Sequence, residues 1–166
     1  MNFAEHLKAA EMHWFFVQGV EAIERELFVP GVSSILNGIE ASLRVTLTQL
    51  ANGAEVEELS PYKVLSNTLI NQAKDEGMPV EFLAFPNEND FLAKLATQKL
   101  NRIDVELVRQ RNNICHGNIF EYINEELGEE DRFFTPECLR DTANVLIELA
   151  TNWTTKLGEY RHARGL

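Results

Sequence analysis

Apolar residues recur every three or four positions along most of this chain, and nowhere do they alternate strictly with polar ones. That period belongs to helices with one buried face rather than to strands. Residues 3–28, rich in Ala, Glu, Leu and Phe, predict a first helix stopped by Val29-Pro30-Gly31. Ser33 or Ser34 then caps a second helix. Its Ile35, Ile39, Leu43, Leu47 and Leu50 share a face, and Asn52-Gly53 ends it. Ser60-Pro61 reads as a cap followed by proline at the first position of a third helix, which runs to about Asp75. Residues 75–90 form a connection with a short strand-like piece, under which Phe82 and Phe85 plug the core. A fourth helix spans about 89–115, capped by Asn89 or Asp90, with Leu92, Ala96, Leu100, Ile103, Leu107 and Ile114 on one stripe. The acidic segment 121–134 is mostly irregular. Thr135-Pro136-Glu137 opens a last helix to about Tyr160, and the tail beyond it frays. The expectation is one all-α domain over residues 1–166, an up-and-down bundle of about five helices.

Composition agrees with a globular core, with 45% hydrophobic and 25% charged residues among 166. No apolar run approaches the ~18 residues of a membrane helix. The first residues carry acids where a signal peptide would carry bases. Cys115 and Cys138 form neither a CxxC pair nor a disulfide framework. A reduced, cytoplasmic setting without membrane attachment is therefore expected. The net charge of −11 opposes broad attraction to nucleic acid. Residues 91–118 depart from that average: Lys94, Lys99, Arg102, Arg109 and Arg111 face only Asp104 and Glu106. Such a stretch is either a solvated helix face or a local anion site on an acidic body. Glu40 and Arg44, four apart, read as a modest surface salt bridge.

Candidate chemistry is sparse. The chain has no HxxxH or HExxH pair, no carboxylate cluster beside a histidine, no glycine-rich phosphate loop and no nucleophile elbow. Neither a metal nor a cofactor is expected. His6 and His13, seven apart and close to Trp14 and Phe15, suit core or boundary packing, and His162 lies in the tail. What stands out is the run from Arg111 to Asn118, which reads Arg-Asn-Asn-Ile-Cys-His-Gly-Asn. A helix C-terminus accounts for its asparagines and glycine, and cations suit that end of the dipole. It does not require arginine, asparagine and histidine at these spacings. Arg-x(4–6)-His alone is loose, with about 0.65 chance matches expected in such a composition. Arg-Asn-x(3)-His is expected only ~0.02 times. Histidine can move a proton near neutral pH, arginine can hold a phosphate and its developing charge, and asparagine can orient either. Together they suit metal-free RNA cleavage through the ribose 2′-hydroxyl.

Arg111, Asn112 and His116, near the end of a helix in a small all-α chain, resemble the motif of the HEPN superfamily. The resemblance implies a four- or five-helix bundle and a metal-independent endoribonuclease acting on single-stranded RNA, as a toxin or antiviral defence effector. It also implies a homodimer with a composite cleft and, in some systems, a cognate antitoxin or regulatory protein. Where toxins paired with a nucleotidyltransferase antitoxin carry x-Tyr after the histidine, this chain has Gly117-Asn118, and Tyr122 lies off that position.

Stoichiometry points the same way as the resemblance. Transesterification needs a base for the 2′-hydroxyl and an acid for the leaving oxygen, and each chain supplies one motif histidine. A two-fold dimer would supply two. On an ideal helix, Arg111 and His116 lie about 140° apart, whereas Arg109 and His116 lie within about 20°. Arg111 is favoured because Asn112 follows it and because the run is expected to distort or end the helix before His116. Arg109, the competitor, and Arg102 are then candidate RNA-phosphate contacts or exposed solubilising charges. The alternative is a non-catalytic helical module that binds a nucleotide or a protein partner.

Overall fold

The computed structural model describes residues 2–7, 11–53, 56, 58–97, 99–123, 130 and 132–166. Among them the regular elements are helices: α1 (Phe3–Leu7), α2 (His13–Glu24), α3 (Phe28–Asn52), α4 (Asn67–Asp75), α5 (Phe91–Leu95), α6 (Glu106–Cys115) and α7 (Arg140–Ala163). Short 3₁₀ turns occupy Val80–Leu83, Lys99–Asn101, Ile119–Tyr122 and Pro136–Leu139. The architecture is an all-α bundle, with five of these helices nine residues or longer. One hydrophobic cluster takes residues from all seven. No helix among the described residues is long and apolar enough to cross a membrane.

The first predicted helix is two helices, which places His6 on α1 and His13 on α2. Val29-Pro30-Gly31 does not stop it. These residues lie in the first turn of α3, where a proline has no intrahelical hydrogen bond to lose. Gly31 serves packing instead: a Cβ there would meet Ile23 Cγ1 at 2.5 Å and the Gly19 carbonyl at 3.0 Å. A Cβ on Gly19 would in turn meet Ile35 Cγ1 at 2.7 Å. These contacts fold α2 and α3 into a close antiparallel hairpin. Neither Ser33 nor Ser34 is a cap, and Ser34 donates instead to the Phe15 carbonyl at 2.8 Å. Asn52-Gly53 does end the helix, with Gly53 at φ 92°.

α7 lies along α3. Trp153 is fully buried and donates from Nε1 to Ser42 Oγ at 2.9 Å. The tail does not fray at Tyr160. Arg161 is buried and donates to Thr46 Oγ1 (2.9 Å) and Gln49 Oε1 (2.7 Å), and α7 runs on to Ala163. On the other flank of α7, the His6 carbonyl of α1 occupies the space a Cβ on Gly158 would fill. Thr135-Pro136 opens a 3₁₀ turn that leads into α7, with Pro136 in its first turn. The strand-like piece is the 3₁₀ turn Val80–Leu83, beside which Phe82 and Phe85 pack on the core.

Two predictions fail together around residues 60–105. The cap of α4 is Ser66, whose side chain accepts from the Leu69 amide at 3.3 Å, rather than Ser60. The predicted fourth helix is broken into α5 and α6. Buried Asn67 accounts for the break: its amide donates to the carbonyls of Lys94 (3.3 Å) and Ile103 (2.9 Å), and its oxygen accepts from Val105 N (3.1 Å). Thr97 Oγ1 accepts from Ile103 N at 3.0 Å. These bonds satisfy backbone groups that a continuous helix would have satisfied itself. Leu92, Leu100 and Ile103, expected on a buried stripe, are consequently exposed. Asp90 precedes α5 without a side-chain cap bond and pairs with Lys94 instead. Half of the acidic segment 121–134, at 124–129 and 131, lies outside the described residues.

Candidate functional site

The motif sits on α6, whose start is organised from a distance. Val105 precedes it in extended conformation with no cap of its own. The nearly buried carboxylate of Glu88 accepts from Glu106 N at 2.8 Å and places negative charge at the positive end of the helix. The far end closes as a Schellman motif. Asn118 N donates to Asn113 O (2.8 Å), Gly117 N to Ile114 O (3.3 Å), and Gly117 takes φ 67°. Asn118 Nδ2 also donates to Asn113 Oδ1 at 3.1 Å. Helix termination thus employs Asn113, Gly117 and Asn118, and leaves the side chains of Arg111, Asn112 and His116 out of the cap.

The helix is regular up to Cys115, and His116 N still donates to Asn112 O at 3.0 Å. As expected, the helix ends before His116, at Cys115, but its last turn is not distorted and His116 is the C-cap. Arg111 and His116 therefore keep the helical separation of about 140° and about 7.5 Å along the axis. His116 is exposed at the helix end, and its ring has no hydrogen bond or ion pair among the described residues.

Arg111 is held differently. Its side chain is 17% exposed, and Nε lies 3.7 Å from Glu40 Oε2 on α3 without a hydrogen bond. Nη1 makes a long contact of 3.4 Å to Asn112 Oδ1. The guanidinium is thus oriented while, among the described residues, most of its five donors have no hydrogen-bond partner. The expected Glu40–Arg44 pair forms, but both side chains are largely covered and Glu40 does more than pair. The same carboxylate accepts from Arg44 at 3.3 Å and from Leu65 N at 2.7 Å, and Arg44 donates to the Ser60 carbonyl at 2.6 Å. It ties α3, α6 and the segment before α4 together.

Arg109 is the contrasting case. It donates to both oxygens of Glu106 (2.8 and 2.7 Å) and to Glu121 (3.0 Å). These bonds, Glu106 foremost, raise its pKa above the ordinary arginine value. Burial pushes Glu106 up, yet hydrogen bonds from Arg109 and Gln110 outweigh it and leave the carboxyl below its ordinary value. Tyr122 donates to Gln110 Oε1 at 2.8 Å, and burial pushes its phenol up to about 12, so it stays protonated. Arg102 pairs with Asp104 at 3.2 Å, and Asn112 Nδ2 reaches Asp104 at 3.5 Å.

The structure therefore brings Arg111, Asn112, Asp104 and Arg102 to one side of α6, with Arg109 and His116 on another. Sequence reasoning missed Glu40 and Asp104. Glu40 had a local signal in its spacing from Arg44, but nothing in the chain shows that Arg111, 71 positions on, shares its carboxylate. Among the described residues, no three of His, Cys, Asp or Glu gather as metal ligands. Compared with family models, curated proteins and solved structures, the chain has no match.

Proposed function

We propose that this chain is a metal-independent endoribonuclease of HEPN type that cleaves single-stranded RNA as a two-fold homodimer, in a toxin or antiviral defence role. The observation that carries the reading is the unequal state of the motif side chains. His116 is exposed and free of partners among the described residues, while Arg111 is oriented by Glu40 with donors to spare. A proton-transfer group has to reach its substrate, and a phosphate clamp has to be positioned beforehand. Arg109, engaged by two carboxylates, suits neither role as well.

In this reading, one His116 takes the 2′-hydroxyl proton as that oxygen attacks phosphorus. The P–O5′ bond breaks, leaving a 2′,3′-cyclic phosphate, and the partner's His116 protonates the departing oxygen. Arg111 holds the charge that builds on the phosphoryl oxygens, and Asn112 orients the phosphate. The angular separation of Arg111 and His116 on a regular helix fits a site completed by a second copy. Cleavage of single-stranded RNA in EDTA is expected, with loss of at least a hundredfold in both His116→Ala and Arg111→Ala. Activity that survives either substitution sinks the assignment.

A second reading rests on the ion pairs. Arg102, Arg109 and Arg111 each lie beside a carboxylate, on a chain of net charge −11. A non-catalytic module that binds a nucleotide or a protein partner needs no free cation there. Folded protein that leaves RNA intact, with or without divalent ions, selects this reading.

A further inference from the structure

Beside Asn112, the surface between residues 62–66 and α6 opens into a groove of about 340 Å³. Its lining includes Leu65 and Val108, both buried, which make an apolar floor, and the more accessible Val64, Asp104 and Asn112. A second depression of about 250 Å³ shares Val64 and Ser66 with the first and continues to Tyr62 and Lys63. Tyr62 is 90% exposed. Each depression has one basic residue in its lining, Arg102 in the first and Lys63 in the second. The wall is anchored to α3 through Leu65 N on Glu40 and Ser60 O on Arg44. Because Glu40 also holds Arg111, groove and motif arginine share one support.

We propose that this groove seats a guanine base of the RNA strand, with its Watson–Crick edge on Asp104 and the adjoining base stacked on Tyr62. The proposal rests on the ribonuclease reading and names its substrate preference. An apolar floor with a polar edge suits a flat ring whose rim carries the hydrogen-bonding groups. An ionised carboxylate only accepts, so it reads donors, and each Asp104 oxygen keeps a second lone pair beside its contact to Arg102 (3.2 Å) or Asn112 (3.5 Å). Guanine presents N1–H and N2–H side by side to the two oxygens of one carboxylate, whereas adenine and cytosine each present an exocyclic amine alone and uracil a single ring N–H. An exposed tyrosine beside a lysine is the usual platform for a single-stranded base and its phosphate.

The test is fluorescence anisotropy at one fixed salt concentration with labelled hexauridylates, each carrying one central guanosine, adenosine or cytidine. His116→Ala protein serves as the background, so that the probe is not consumed. Binding about tenfold tighter to the guanosine probe is expected, with the preference erased by Asp104→Asn. Tyr62→Ala should weaken all three probes about tenfold and leave the preference intact. Equal affinity for the three probes, or a preference that survives Asp104→Asn, overturns the groove. Cleavage by the wild-type protein in EDTA, run in parallel, separates the two ideas. Guanosine binding through Asp104 without cleavage keeps the groove and removes the nuclease. Cleavage without base preference does the reverse, and protein that neither binds nor cleaves removes both.

Discussion

Along the α3–α7 seam, the buried polar groups are sealed in by packing. Trp153 is spent on Ser42, and Arg161 on Thr46 and Gln49. On the flank built by α4, α5 and α6, polar groups do the structural work themselves. Asn67 holds the break between α5 and α6, Glu88 starts α6, and Glu40 joins Arg111 to residues 60–65. Both regions bury apolar side chains in the one core, and the second adds long-range hydrogen bonds whose net worth is about 1 kcal/mol each.

The comparison breaks most sharply at Trp153. Trp153→Ala should cost about 3–5 kcal/mol in urea unfolding, through a cavity at the centre of the seam. Gly158→Ala comes next, at about 1–3 kcal/mol, because the new Cβ meets the backbone carbonyl of His6, which cannot rotate away as a side chain can. On the flank, Glu40→Gln should cost about 1–2 kcal/mol, since two half-buried arginines lose their carboxylate while the Leu65 amide keeps an oxygen. A loss there equal to that of Trp153→Ala would erase the distinction between the regions. On the ribonuclease reading, the same variant should also lower RNA cleavage at temperatures where the protein stays folded, because Arg111 is misplaced rather than unfolded.

The smallest effect concerns pH. The Glu106 carboxyl titrates below its ordinary 4.5 in the folded protein. Its stabilising contribution is therefore whole above that value and is lost as pH falls through the lower folded one. Glu106→Gln should cost about 0.5 kcal/mol near pH 6, and the gap to wild type should narrow as the pH is taken below 4.5 in parallel urea titrations. A gap that widens on acidification would reverse the assigned sign.

The long helices were legible because their apolar period is sustained, as in Ile35, Ile39 and Leu43 of α3. Their ends were legible only where the signal is local, as at Gly53. Gly31 looked like a stop because proline and glycine break helices in isolation, yet its role is to let α2 approach. Leu92, Leu100 and Ile103 fitted a helical stripe, and only Asn67, up to 36 residues away, reveals that the stripe is interrupted. Within the candidate site, Arg111, Asn112 and His116 were readable as a spaced motif, while Glu40 and Asp104 acquire meaning only as neighbours of that motif.

By itself, then, the sequence determined an all-α fold and three side chains worth testing, because periodicity and motif spacing are properties of adjacent residues. The tertiary structure alone decided where helices break, which arginine keeps free donors and what lies beside Asn112. Those outcomes depend on hydrogen bonds and ion pairs between residues far apart in the chain, and such bonds leave no trace in local pattern.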